Sequence, residues 1–166
     1  MQVPHGKAAD FDFPHSLLHV LSRTNVAIWQ FVTQRTSAIG GITGMQASVL
    51  LLLMSRHSTT SMDLSREYKL HSSAVTRLVD RLVRLELVER IPSERDRRVI
   101  YLRMTREGKK VATQLPGIFA SALECLLDGI EERDADTLRR CLRHMLLNAR
   151  AAGELNTPPL HQDLYS

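Results

Sequence analysis

The sequence has no long apolar run. The longest, residues 49–54, is six residues, against the roughly 18 that a membrane-crossing helix needs, so no membrane span is expected. Cysteine is scarce: Cys125 and Cys141 are the only two, too few for a disulfide framework. The opening MQVPHGKAADFDFPH contains acidic residues and no apolar centre, unlike a secretory signal peptide. Together these absences point to a bacterial type of cytoplasm. Aromatic residues make up only 5% of the chain, so the core is expected to be built from Leu, Val, Ile, Ala and Met. The seven histidines form no HExxH motif and no Cys/His pair has zinc-finger spacing, so no metal is expected. No nucleophile–base pair, phosphate loop or carboxylate dyad stands out. The chain therefore reads as a non-enzyme without a cofactor.

At 166 residues with 43% hydrophobic and 24% charged content, the chain suits one domain or two small lobes sharing a core. The net charge of +4 is modest but unevenly placed. Residues 62–110 hold 13 of the 22 Lys/Arg and 8 of the 18 Asp/Glu, a balance of +5, and the remainder holds 9 and 10, a balance of −1. A basic excess confined to one third of a chain is the footprint of a lobe that meets a polyanion.

Residues 1–14, with two prolines and a glycine, read as a loose N-terminal arm. From His15 to about Ala38 apolar residues recur at helical spacing, and Gly40-Gly41 ends that helix. Thr43 is a candidate cap for a second helix over residues 45–54, buried on most sides. Residues 55–61 read as a loop, and a short third helix follows over 62–68. Lys69, Leu70 and His71 form a turn. Ser72 and Ser73 are then candidate caps of a fourth helix reaching about Leu85. From Val88 the period changes to short β-branched segments, residues 88–90 and 99–104, joined by the charged stretch 92–98, which predicts a β-hairpin. Helical spacing returns from a cap at Thr105, with expected breaks at Pro116-Gly117 and at the acidic turn 131–136. Residues 151–166, with Pro158-Pro159, read as a tail.

Two short helices, a tight turn and a hairpin make a helix-turn-helix with a wing, here over residues 43–104. The fourth helix has the apolar stripe Val75, Leu78, Val79 and Leu82. Opposite lie Ser72, Ser73, Thr76, Arg77, Asp80, Arg81 and Arg84. A helix fits the major groove of duplex DNA, and Arg77 is the candidate for bidentate contact with guanine. Ser72, Ser73 and Thr76 supply hydroxyls for phosphate or base edges. Arg81 and Arg84 suit the DNA backbone or a nearby carboxylate. At the hairpin tip Arg98 is the favoured minor-groove contact, where a narrow A·T-rich groove concentrates negative potential. Arg95 and Arg97 read as phosphate contacts or solvated charges. Asp96 would repel phosphate and reads as structural, holding a neighbouring arginine in place.

The segment SSAVTRLVDRLVRLELVERIPSERDRRVIYLRMTREG, residues 72–108, resembles the signature of the MarR family of winged-helix regulators. The resemblance lies in Thr76-Arg77, Leu78, Asp80-Arg81 and Leu82, in the wing motif Asp96-Arg97-Arg98, and in the closing pattern Leu102, Met104, Thr105, Gly108, similar to the family's LTxxG. The sequence departs from the family at Glu86, usually Gly, and at Met104, usually Leu. The resemblance implies a mainly α fold in which the first helix and the last two (15–38 and 105–150) form a dimerisation region. It also implies a two-fold dimer, a pseudo-palindromic DNA operator, and release by a small aromatic or phenolic effector.

His15, His19 and Arg23 fall at i, i+4 and i+8 on the first helix. They read either as a solvated face or, with Trp29 nearby, as a cationic lining for an aromatic carboxylate. Cys125 and Cys141 sit among leucines and read as core residues. Thiol-based redox control and ligand-independent architectural DNA binding are the alternatives to a ligand-released repressor.

Overall fold

The structure, a computed structural model, describes residues 12–56 and 59–152; most of the arm and tail, including Pro158-Pro159, lies outside them. Helix α1 (Leu17–Gly40) starts later than its spacing predicts. A single 3-10 turn, Phe13–His15, with Pro14 in it, precedes the helix, and the Ser16 hydroxyl accepts the His19 N–H at 3.1 Å as the cap. His15 therefore lies outside the helix. Gly41, at φ 62°, ends it in the left-handed conformation that glycine adopts at least cost.

Helix α2 (Gly44–Ser55) is capped by Thr43 as expected. Thr43 and Gln46 form a reciprocal capping box. The approach of α1 to α2 depends on Gly44. A Cβ there would lie 3.0 Å from Trp29 Cε3 and 3.1 Å from a Val32 methyl, and the Gly44 N–H donates to Thr33 Oγ1 at 2.9 Å. Ala47, Val49 and Leu50 of α2 are fully enclosed and Leu53 nearly so, which makes α2 the centre of the core.

Residues 55–61, expected as a loop, include strand β1 (Thr59–Thr60). Two residues are too few to show a period. Thr60 then caps α3 (Ser61–Tyr68) in a second box with Asp63. Burial alone would raise the Asp63 carboxyl, but hydrogen bonds from Thr60 and the charges of Arg66 and Arg56 outweigh it and hold the carboxyl below its usual range. Its contribution to stability is therefore present at neutral pH and lost as pH falls through the folded-state value. Lys69 turns the chain at φ 52°, and the Ser65 hydroxyl closes that turn by donating to the Leu70 carbonyl at 2.7 Å.

Helix α4 (Ser72–Arg84) is capped by His71, without a side-chain bond, and not by Ser72 or Ser73. Those serines are the first two helical residues, because the chain enters helical dihedrals one position earlier than cap preference suggests. Strands β2 (Val88–Pro92) and β3 (Ile100–Met104) form the hairpin, and β1 adds to β3 in an antiparallel sheet of order β1-β3-β2. Val88 pairs with Met104, and Thr59 pairs with Leu102. Leu64, Val75, Val79, Leu82, Val88, Leu102 and Leu115 join α2 in one apolar cluster.

Helix α5 (Arg106–Leu126) runs through Pro116-Gly117 without the expected break. Its flanking Val111, Ala112, Leu115 and Ala122 are buried, and this packing outweighs the one hydrogen bond that a proline removes. The chain turns instead over residues 127–131, before α6 (Glu132–Ala151). The distal half of α5 and nearly all of α6 are exposed, including Leu123, Leu138, Leu142, Met145, Leu146 and Leu147. Cys125 and Cys141, expected in the core, are exposed for the same reason. Leu17, Leu18 and Val20 at the start of α1 are exposed as well. Among the described residues no single helix is long and apolar enough to cross a membrane; α1 and α2 reach that measure only jointly, across a 71° bend.

Among the described glycines, the closest approach to a neighbouring segment is at the join between wing and α5. A Cβ at Gly108 would lie 1.9 Å from the Leu87 carbonyl oxygen. Thr105 binds both sides of this contact: its hydroxyl donates to the Glu86 carbonyl at 2.6 Å and accepts the Gly108 N–H at 2.9 Å. Its own N–H donates to the Leu87 carbonyl at 3.1 Å. Glu86, just before, is held at φ 56°, a region where a side chain costs about 1 kcal/mol. Two outcomes follow. Gly108→Ala should lower unfolding free energy by about 3 kcal/mol, since backbone must move to admit the methyl. Glu86→Gly should raise it by up to about 1 kcal/mol. Urea unfolding measures both, and an unchanged midpoint for Gly108→Ala would contradict the packing described.

Candidate nucleic-acid interface

The apolar stripe Val75, Val79 and Leu82 is buried, and this fixes which face of α4 looks outward. Ser72, Ser73, Thr76, Arg77, Arg81 and Arg84 are all exposed on that outer face. The Thr76 hydroxyl donates to the Ser72 carbonyl at 2.9 Å, which leaves its oxygen able to act only as an acceptor. Ala74 and Val75 donate their N–H groups to the His71 carbonyl. Among the described residues the N–H groups of Ser72 and Ser73 have no such partner, as expected at a helix start. Arg77 and Arg81 have no hydrogen-bond or ion-pair partner among the described residues. A free guanidinium on an exposed helix face is able to bind both acceptors of a guanine edge or a phosphate.

At the tip of the wing Arg95, Asp96, Arg97 and Arg98 are all exposed. Asp96 is structural in a more local way than expected. Its Oδ1 accepts the backbone N–H of Arg98 at 2.9 Å, and its carbonyl accepts the Val99 N–H at 2.9 Å. Ser93 Oγ accepts the N–H groups of Arg95 and Asp96. The carboxylate shapes the turn and leaves the three guanidinium groups free of it.

Sequence spacing did not reveal what joins helix and wing. Arg90 of β2 donates to Asp80 of α4 at 2.8 Å, and Arg103 donates to Glu89 across β2 and β3 at 2.8 Å. Asp80 and Arg90 are ten residues apart, and only the hairpin topology brings them together; the sole hint in the sequence was an acid within an otherwise basic helix face.

The four residues proposed from sequence for a small ligand do not form one lining. His15, in the 3-10 turn, pairs with Asp12 at 2.7 Å. His19 sets its ring edge-on against Phe13, with 5.0 Å between centroids. Arg23 is exposed. Trp29, about 9 Å further along the helix axis, packs against Gly44. Among the described residues no three His, Cys, Asp or Glu side chains converge as a metal would require.

A model of the MarR family matches residues 40–99. No curated protein matches the chain significantly. Among solved structures, the reduced form of MarR from E. coli is 25% identical with a TM-score of 0.71, over 79% of this chain and 96% of that one. A cysteine-to-serine mutant of the same protein in complex with operator DNA gives 0.75 at 23% identity, over 82% and 99%. BpsR of Bordetella bronchiseptica, whose DNA binding is regulated by 6-hydroxynicotinic acid, gives 0.72 at 18% identity, over 81% and 96%. The last two likenesses concern the fold alone.

Both side chains of the Asp80–Arg90 pair are more than a third exposed, so its contribution to stability is small. A double-mutant cycle with Asp80→Ala and Arg90→Ala should give a coupling of about 0.2–1 kcal/mol in urea unfolding. A coupling of several kcal/mol would show that the pair is far more shielded from water than its exposure indicates.

Proposed function

We propose that this chain, whose residues 40–99 match a model of the MarR family, is a homodimeric repressor that holds a pseudo-palindromic operator and releases it when a small aromatic acid binds. The observation that carries the reading is the outer face of α4, with Arg77 unpartnered and hydroxyls at its N-terminus, beside a wing that presents Arg95, Arg97 and Arg98. In this reading Arg77 reads a base, Ser72, Ser73, Thr76 and Arg81 set the helix against phosphates, and Arg98 enters the minor groove with Arg95 and Arg97 at its edges. Asp96 keeps the tip in shape. The relative solved with operator DNA supports operator binding, and BpsR supports control by a small ring acid.

The dimer is supported by the apolar residues that the single chain leaves in water on α1, α5 and α6. Exposed leucines spaced as Leu138, Leu142 and Leu146 form a helical stripe, and a two-fold partner would bury it. Two-fold symmetry then gives the operator its pseudo-palindrome.

The test begins with selection of duplexes from random sequence. Arg77→Ala should then weaken binding to the selected site by about 1–3 kcal/mol and relax preference at one position per half-site. An equal loss on selected and random DNA would make Arg77 a phosphate contact. The double variant Leu142→Glu, Leu146→Glu should sediment as a monomer and lose the full operator. A variant that stays dimeric would place the interface elsewhere.

A further inference from the structure

Helix α4 begins at a residue that breaks the capping rule kept elsewhere in the chain. Helices α1, α2, α3 and α5 are each preceded by a hydroxyl side chain, of Ser16, Thr43, Thr60 and Thr105, that accepts a backbone N–H. Helix α4 is preceded by His71, whose ring makes no such bond. Imidazole is not among the side chains preferred at this position, which are Ser, Thr, Asp and Asn. A residue that breaks a local rule without local compensation points to a use outside the fold. His71 is exposed, directly before Ser72 and Ser73. Its ring has no hydrogen-bond or ion-pair partner among the described residues.

The charges around it are unequal in sign. Helix α3 and strand β2 pack against α4, and their carboxylates are engaged elsewhere. Asp63 is bound to Thr60, Glu67 to Arg56 and Glu89 to Arg103, while Asp80 of α4 itself pairs with Arg90. Tyr68 shares a hydrogen bond with Ser48, and burial raises its hydroxyl further above the neutral range. The other charged side chains of α3, the turn and α4 are Arg66, Lys69, Arg77, Arg81 and Arg84, all cationic. No acid on these elements is left to neutralise a protonated His71, so its counter-charge has to come from outside the protein.

We propose that His71 is a further phosphate contact of α4 and that it couples DNA binding to proton uptake. The residues at the start of a recognition helix are the ones that reach the duplex, and histidine is the side chain whose charge ordinarily changes between pH 5 and 8. The protonated ring donates from both nitrogens and meets a phosphate as a charge-assisted donor. The protonated form therefore holds DNA more tightly, and by linkage DNA draws up to one proton per protomer from solvent. Affinity is greatest at low pH and falls as pH rises and the ring loses its proton. The inference rests on the reading of α4 as the DNA-facing helix, and adds to that face one residue and a means of control.

The full chain is titrated against a duplex selected from random sequence, at about pH 5.5 and about pH 8, over a series of salt concentrations, with fluorescence anisotropy as the readout. Binding should be about two- to thirtyfold tighter at the lower pH, the span of one exposed charge pair in each of two protomers. The slope of log affinity against log salt should be steeper there by about 0.9 per protonated ring. His71→Gln should bind alike at both pH values, and His71→Lys should bind tightly at both. His15→Gln, in the 3-10 turn before α1, should keep the wild-type difference. Equal wild-type affinity at the two pH values overturns the proposal. So does a difference that persists undiminished in His71→Gln or His71→Lys, or one that disappears in His15→Gln. The salt slope separates a contact from a merely structural role: if affinity changes with pH but the slope does not, His71 touches no phosphate and the proposal fails. If His71→Gln does not fold, His71→Lys decides alone. A chain that binds no duplex at either pH refutes the DNA-binding reading and this proposal with it, whereas duplex binding that ignores pH refutes this proposal alone.

Discussion

The Leu87 carbonyl occupies the space where any residue but glycine at position 108 would place its first side-chain atom. This close approach fixes where α5 begins relative to the sheet. Thr105 reinforces it by binding Glu86 on one side and Gly108 on the other, so three backbone segments are set by one hydroxyl and one missing methyl. The wing projects from this join and α5 runs back from it into the core. The angle between the wing and the helices behind it is thus set here. The pattern of Leu102, Met104, Thr105 and Gly108 has its physical reason in this contact: strand residues that alternate into the core, then a cap, then the only residue that fits.

The helix-turn-helix is held by the same kind of local device repeated. Thr43 and Thr60 each close a capping box, and Ser65 bonds across the turn to Leu70. Each acts within five residues of its own position. The elements are therefore set locally, and α2, enclosed on nearly all sides, collects their apolar faces.

That locality explains what could be read in the sequence. The caps at Thr43 and Thr105, the outer face of α4 and the arginine-rich tip all depend on spacing within a few residues. What spacing could not supply was set by tertiary structure. Pro116 should end a helix by its own chemistry, but buried neighbours on both sides carry the helix through. Ser72 and Ser73 have the right chemistry for a cap, yet His71 takes the position because backbone dihedrals assign it. Strand β1 exists only because β3 offers it partners. The pairing of Asp80 with Arg90 arises from topology and leaves no periodic trace. The regular His15, His19, Arg23 spacing had the opposite fault: the helix that would align the three residues begins after the first of them.

The half-exposed bridge between Asp80 and Arg90 gives ionic strength two points of action. In the proposed DNA complex, mobile ions compete for phosphates with the arginines assigned to them on α4 and the wing, and that competition alone makes affinity fall as salt rises. The same ions screen the weak bridge between the wing and α4. Added salt thus weakens the attraction and also removes one small restraint between the wing and α4. A count of neutralised phosphates taken from the salt dependence of binding would then exceed the number of phosphates touched, with the difference arising inside the protein.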